Sequence, residues 1–296
     1  MPMPTATPRE ITFEVPTNPT QFGPDQLRPR FLLGLSMSAL SQWFAAYLVP
    51  HSRMLHDHLT GCVIGMVRLD SHLPDLRFCD ADWLAVSARV EASDSATYLR
   101  LSVDIHARLQ AGTDPALQVA TIRTDLRLLT VVDSQSLTGV PGTLPESLFA
   151  LFRPEEIYRP DRKAQVLAAK PPEGKELLEP VSWKTPLCRS HCEVADQWLY
   201  SELVELLTQS RERLFLRDTT PPEVARIAVG RPVRSVTAVF RRAMYAFETC
   251  RITTRVLTGT NGGAGEGEPV IFQHSVDDPA RPGACVTAWE TVGATT

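Results

Sequence analysis

Few side chains in this 296-residue chain combine a reactive group with a position that would bury it. Glu202 is one. Counted at 100° per residue, it falls in the centre of the apolar stripe formed by Ala195, Trp198, Leu203 and Leu206. A carboxylate there is desolvated and its pKa rises, which suits a general acid or base; on a wider stripe it reaches solvent at the edge. Tyr47, four residues after Trp43, reads as the matching position of an earlier helix. Its phenol can donate to a carbonyl oxygen, protonate an enolate, or sit in the core with its hydroxyl satisfied. His274 alternates in phase with Val270, Phe272 and Val276, so it points to the inner face of a strand, as a base or as a partnered core imidazole. His51 follows Pro50 at a helix end, and His191 sits in the loop before a second helix. An imidazole titrates near neutral pH, so each can be a base or a polar loop residue. Cys188, His191 and Cys192 make a C-x2-H-C cluster, but no second pair completes a metal site, and none is expected. Cys192 could be a nucleophile, with no base assignable to it. The glycine-rich run GTNGGAGEGE lacks the Lys-Ser/Thr ending of a phosphate loop and reads as a connection.

The elements that would position these groups come in two series. A helix of about 36–49 carries Leu40, Trp43, Phe44, Tyr47 and Leu48 at helical spacing. Strand alternation follows. Leu84, Val86, Ala88 and Val90 share one face, as do Leu99, Leu101, Val103, Ile105 and Ala107, and then Ala120, Ile122, Leu126 and Leu128. Gly112-Thr113-Asp114-Pro115 is a turn between two of these strands. A second helix begins near Val194 with Ala195, Trp198, Leu199, Leu203, Leu206 and Leu207 on one stripe. Strands at about 233–240, 249–257, 269–276 and 284–291 come after it. Gln42-Trp43-Phe44 echoes Gln197-Trp198-Leu199. The expected organisation is a leader over 1–25, a first unit over 26–152, a charged, proline-rich linker over 153–182, and a second unit over 183–296.

Composition narrows the class. An apolar fraction of 43% and a charged fraction of 22% suit an ordinary globular protein, and the length suits two cores. A net charge of -4 gives no basic face for nucleic acid. Phe31 to Ser52 holds no charged side chain, yet Ser36, Ser38, Ser41, Gln42 and Pro50 favour burial in protein over a membrane span. The six scattered cysteines and the absence of an apolar run behind a basic start point to a cytoplasmic chain with reduced thiols.

A long, nearly uncharged helix followed by a meander of antiparallel strands, twice over, is an α+β pattern that resembles the double hot-dog fold, two antiparallel sheets each wrapped around a long central helix. Within it, LGLSMSALSQWFAAYLVPHSR, SLTGVPGTLPESL, WLYSELVELLTQSRERL and VTAVFRRAMYAFETCRI resemble segments of the FabA-like acyl-thioester proteins of polyketide-type biosynthesis, the leinamycin-type acyltransferase/decarboxylase group. The departures are that GCVIGMVRL lacks the tyrosine of that group's first strand, and that SHCEVAD stands where Asp-x-Asn is expected. The resemblance implies a ligand groove between the two units and an acid on the second helix. It also implies substrates carried by acyl-CoA or an acyl carrier protein, with the phosphopantetheine arm as carrier and no separate cofactor. The expected activity is acyl transfer, with or without decarboxylation. A thioesterase or dehydratase of the same fold, and a non-catalytic binder of a polyketide or partner, remain alternatives. Arg231, Arg234, Arg241 and Arg242 could meet a pantetheine phosphate or an acidic carrier. The chain would be a monomer with an internal pseudo-dimer, or a homodimer.

Overall fold

The computed structural model describes residues 7–108, 116–133, 137–258 and 269–293. The turn expected at 112–115 and most of the 258–269 connection lie outside them. In the first half, β1 (Ile11–Pro16) precedes α1 (Pro29–Tyr47) and the short α2 (His51–His56). The strands β2 (Thr60–Ser71), β3 (Trp83–Ser93), β4 (Tyr98–Arg108) and β5 (Leu117–Asp133) follow. A crossing region holds β6 (Thr138–Pro141), α3 (Glu146–Phe149), β7 (Ile157–Tyr158) and α4 (Arg162–Ala168). The second half runs β8 (Lys175–Pro186), α5 (Tyr200–Glu212), α6 (Pro222–Gly230), β9 (Val233–Phe240), β10 (Thr249–Thr258), β11 (Val270–Asp277) and β12 (Val286–Val292).

The strands join one 12-stranded sheet, ten of them in the order β1-β3-β4-β5-β2-β9-β12-β11-β10-β8, with β6 paired to β5 and β7 to β3 off that path. The order in the second half mirrors that in the first, so β8 answers β1 and β9 answers β2. The halves meet where β2 and β9 pair antiparallel, from Met66↔Val239 to Asp70↔Ser235. Just before that junction the β2–β5 register shifts between Ile64 and Met66, a bulge at Gly65, after which β2 pairs with β5 on one side and β9 on the other.

The strand alternation read from sequence is the alternation observed. Leu84, Val86, Ala88 and Val90 are buried, as are Leu99, Leu101, Val103, Ile105 and Ala107. On α1, Leu32, Leu33, Leu35, Ala39, Leu40, Trp43 and Phe44 are buried against β3, β4 and β5, while Gly34, Ser38, Ser41 and Gln42 keep a solvent stripe of small neutral residues. The uncharged run is thus a sheet-packed helix, and among the described residues no helix is long and apolar enough to cross a membrane.

Four boundaries differ from the sequence reading, the first being α1, which starts at Pro29, not near 36, and ends at Tyr47. The 1–25 segment is not all leader, because Ile11–Pro16 pairs with β3 from Ile11↔Ala88 to Pro16↔Trp83. The 153–182 segment is not all linker: β7 pairs with β3, and β8 pairs with β10. In both places proline and charge mark sheet edges, where a missing N–H and solvated side chains cost nothing. The second helix starts at Tyr200, so Val194, Ala195 and Trp198 precede it. The true echo is Asp25-Gln26-Leu27 against Asp196-Gln197-Trp198, each placed four residues before its helix. Phe22 bridges Leu27 and Cys192 bridges Trp198, so the two pre-helix loops fold alike.

Candidate functional site

The equivalence of the two halves gives the seam two related positions, one at each pre-helix loop. The first is an open cleft of about 240 Å³ between the loop at 23–30, one face of α5 and the end of α6. Gln26 anchors the loop by accepting from the Val233 amide at 2.7 Å, and Arg28 donates Nε to the Phe22 carbonyl at 2.8 Å. Arg30, on the rim, pairs with Glu202 at 2.6 Å. Glu205, Thr208, Arg211 and Glu212 line the α5 wall, and Arg231 the opposite one. Glu212 is exposed at the rim, yet its carboxyl sits above the usual range, chiefly because nearby protein desolvates it; Arg211 and Arg28 pull it down, and Glu205 and Glu290 push it up.

Behind the α5 wall lies a sealed polar network. Arg211 donates Nε to Glu290 Oε2 at 2.9 Å and NH1 to the Ala228 carbonyl. The two side chains are 4% and 0% exposed, so this is a desolvated pair and neither charge can be removed singly without loss. Thr208 donates to Glu290 Oε1 at 3.3 Å, connecting the network to the cleft. His274 shares a hydrogen bond with Thr254 Oγ1 at 3.0 Å, and Thr254 shares another with Ser210 at 2.6 Å. His274 Nε2 stands 3.6 Å from Glu290 Oε2, beyond hydrogen-bonding distance but within electrostatic reach. Burial alone would raise Glu290, but Arg211 and His274 hold it below the ordinary carboxylate range.

The second position joins the loop before α5 to the start of β2. Leu59, in the left-handed region at φ 47°, turns α2 back into β2. His51, the first residue of α2, is thereby brought beside Cys62, with Sγ 3.9 Å from Nε2. The imidazole lies edge-on to Phe44, its ring 5.8 Å away, and its burial lowers its pKa. Burial pushes the Cys62 thiol up to about 12, and the Glu193 carboxylate from the opposite half adds to that. Glu193 is exposed as a residue, yet the atoms crowded around its carboxyl raise its pKa too.

The five residues singled out from sequence fall in different places. Glu202 is buried in the first turn of α5 and ion-paired to the cleft rim. His274 points inward, as its alternation implied, and is sealed off completely. His51 sits at the second position. His191 ends a 3-10 turn, where Nδ1 accepts from the Cys188 amide at 3.0 Å. Gln21 has that same task in the first half, where its side chain accepts from the Asn18 amide at 3.1 Å. Tyr47 is far along α1, not opposite Glu202; its hydroxyl donates to the Glu10 carbonyl at 2.9 Å, and Arg9 stacks over its ring. Sequence reasoning missed Arg211, Glu290 and Cys62. The arginine and glutamate each lie inside an apolar pattern, a signal that could have paired them; Cys62 had none. Among the described residues no group of three or more His, Cys, Asp or Glu is placed to hold a metal.

No family model and no curated protein sequence matches the chain. Solved structures do. A putative oleoyl thioesterase from Lactobacillus plantarum superposes with a TM-score of 0.72 at 11% identity, over 97% of this chain and 96% of its own. The 12:0-ACP thioesterase from Umbellularia californica gives 0.65 at 10%, over 97% and 94%. An acyl-ACP thioesterase from Bacteroides thetaiotaomicron gives 0.59 at 9%, over 96% and 97%. The chain has a hot-dog-type fold. At such identities the likeness establishes architecture, and it spans both halves together with the seam between them.

Proposed function

We propose that this protein is an acyl thioesterase of double hot-dog build, cleaving acyl groups from coenzyme A or an acyl carrier protein. The observation that carries the reading is the full-length likeness to three structures described as acyl thioesterases, joined to a cleft at the seam between the halves. This departs from the acyl-transfer and decarboxylation activity implied by the resemblance to polyketide-type proteins, since none of the three similar structures is described as an acyltransferase. The missing tyrosine and Asp-x-Asn point the same way.

The reaction needs an activated water, a cation or dipole near the carbonyl oxygen, and a walled-off acyl chain. Glu205 and Glu212 line the cleft, and the raised pKa of Glu212 suits it to take a proton from water. Arg30, held by Glu202, supplies positive charge at the rim, and Arg231 is placed for the phosphate-bearing end of a carrier. Glu290 acts from behind, fixing Arg211 and Thr208 without touching substrate.

Purified protein presented with acyl-CoA and acyl-carrier-protein panels, followed by mass spectrometry, tests the proposal. Free acid and free carrier thiol in equal amounts are expected. Transfer of the acyl group between carriers would favour the acyltransferase reading. Binding without turnover on either panel would reduce the protein to a non-catalytic member of its fold.

A further inference from the structure

The cleft at the seam has a charged floor. Arg211 lines it, yet its side chain is almost wholly buried, and the fully buried Glu290 holds that side chain from behind. Beyond this pair the space between α5 and its sheet is taken by Ser210, Thr254 and His274, all buried and joined by hydrogen bonds of 2.6 and 3.0 Å. An acyl chain running down between helix and sheet would have to part that network and separate a desolvated ion pair, with no apolar wall gained in exchange. The apolar part of the lining is small: Val204 and Val229, with Pro24, Pro29 and Pro232. It suffices for a few methylenes. The polar part is already sorted into spent donors and open acceptors. Arg30 is paired with Glu202, Arg211 donates to Glu290 and to the Ala228 carbonyl, and Arg28 gives Nε to the Phe22 carbonyl. Thr208 gives its proton to Glu290 Oε1, which leaves its oxygen as an acceptor. Glu205 and Glu212 lie on the same face of α5, so the wall presents acceptors and calls for a ligand that brings a donor.

We propose that the acyl group this cleft accepts is short and carries a hydroxyl, on the scale of a 3-hydroxybutyryl group, with Thr208 receiving the hydroxyl and the Arg211–Glu290 pair setting the length limit. The inference rests on the thioesterase reading for the thioester itself. A hydroxyl meeting Thr208 satisfies an oxygen that a plain alkyl chain would cover and leave unpaired, so the unsubstituted analogue is rejected more sharply than an apolar pocket rejects one methylene. A chain of eight or more carbons meets the guanidinium of Arg211, which Glu290 and the Ala228 carbonyl hold in place.

The test compares kcat/KM of the full chain for 3-hydroxybutyryl-, butyryl-, octanoyl- and lauroyl-CoA. The hydroxylated substrate should exceed butyryl-CoA by about tenfold, and lauroyl-CoA by more. Thr208→Val keeps the side chain's shape and should erase the preference for the hydroxyl while leaving butyryl-CoA nearly unchanged. Arg211→Met with Glu290→Leu, its fold confirmed by melting, exchanges the charged floor for an apolar one and should raise octanoyl-CoA at least tenfold relative to butyryl-CoA. Faster turnover of lauroyl- than of 3-hydroxybutyryl-CoA by the wild type, or a hydroxyl preference that survives Thr208→Val, would overturn the proposal and leave hydrolysis standing. Calorimetry with the thioethers S-(3-hydroxybutyl)-CoA and S-dodecyl-CoA reads the same preference without turnover. Tighter binding of the hydroxybutyl thioether, lost in Thr208→Val, would support the proposal even where no free acid is released, and in that case it is the hydrolase reading that fails. Tighter binding of the dodecyl thioether, or binding of neither, would overturn it.

Discussion

At the scale of single residues the most consequential pair is Arg211 with Glu290. Each is almost wholly desolvated, so truncating one leaves the other charged with nothing to answer it. Arg211→Met should cost about 3–5 kcal/mol, while the double replacement Arg211→Met with Glu290→Leu should recover much of the loss. Urea melts decide this, and a single-variant cost below about 1 kcal/mol would mean that water reaches the pair. The acid limb of stability follows from the same geometry. The Glu290 pKa is lowered in the folded state, so its contribution is present in full above about pH 4.5, the ordinary glutamate value, and is lost as pH falls through the folded value. His51 is also lowered, from 6.5, because burial disfavours the imidazolium. Its neutral form favours the native state above pH 6.5, and that advantage drains away as pH drops towards the depressed folded value. Stability curves of His51→Gln should therefore lose slope just below pH 6.5, and those of Glu290→Gln below pH 4.5. Parallel slopes in wild type and both variants would contradict these assignments.

Elements turn such residues into positions. In α1, Trp43 is fully buried in the core; it stacks on Phe152 at 5.6 Å and donates Nε1 to the Arg9 carbonyl at 3.3 Å. Trp43→Ala should cost about 3–5 kcal/mol and raise amide exchange throughout α1 and β3. Where α1 meets α5, Tyr200 donates to the Leu33 carbonyl at 2.5 Å and shares a hydrogen bond with Ser36 at 2.7 Å. Tyr200→Phe should cost only about 1 kcal/mol, since Ser36 still satisfies Leu33. The strands were legible because half-buried antiparallel sheet writes its period of two directly into the sequence, and His274 was read correctly by that rule. Helix registration was not legible. Gln-Trp-Phe and Gln-Trp-Leu match by letter, but Trp43 is a core residue deep within α1 and Trp198 a bridge residue ahead of α5. A tryptophan is buried by many kinds of element, so its identity carries no register. The paired Asp-Gln turns did carry register, but two short polar residues stand out less. The Cys62–His51 pair was invisible for a simpler reason: a left-handed leucine creates the contact, and no spacing rule anticipates leucine at positive φ.

For the whole molecule the question is why two units share one chain. The outer edges of the sheet are blunted. β1 ends at Pro16, and β8 carries Lys175, Pro180, Lys184 and Pro186, with Arg213 stacked 4.0 Å over Trp183. Neither invites another strand. The inner edges have no such protection: Val67 and Leu69 on β2, and Val236 and Ala238 on β9, are buried only because the strands pair and their faces are covered. Separated from its partner, β2 would present an open ladder with no charge inside it except Arg68 and Asp70. A fragment spanning 7–158 keeps β1 through β7 and should therefore associate with itself through β2. Light scattering after gel filtration should find twice the fragment mass, and Val67→Lys should return it to monomer or unfold it. The intact chain, with that edge already occupied by β9, should remain at its own mass under the same conditions. A folded, monomeric fragment would show that β2 needs no partner, and would remove the physical reason for placing a substrate site at the seam.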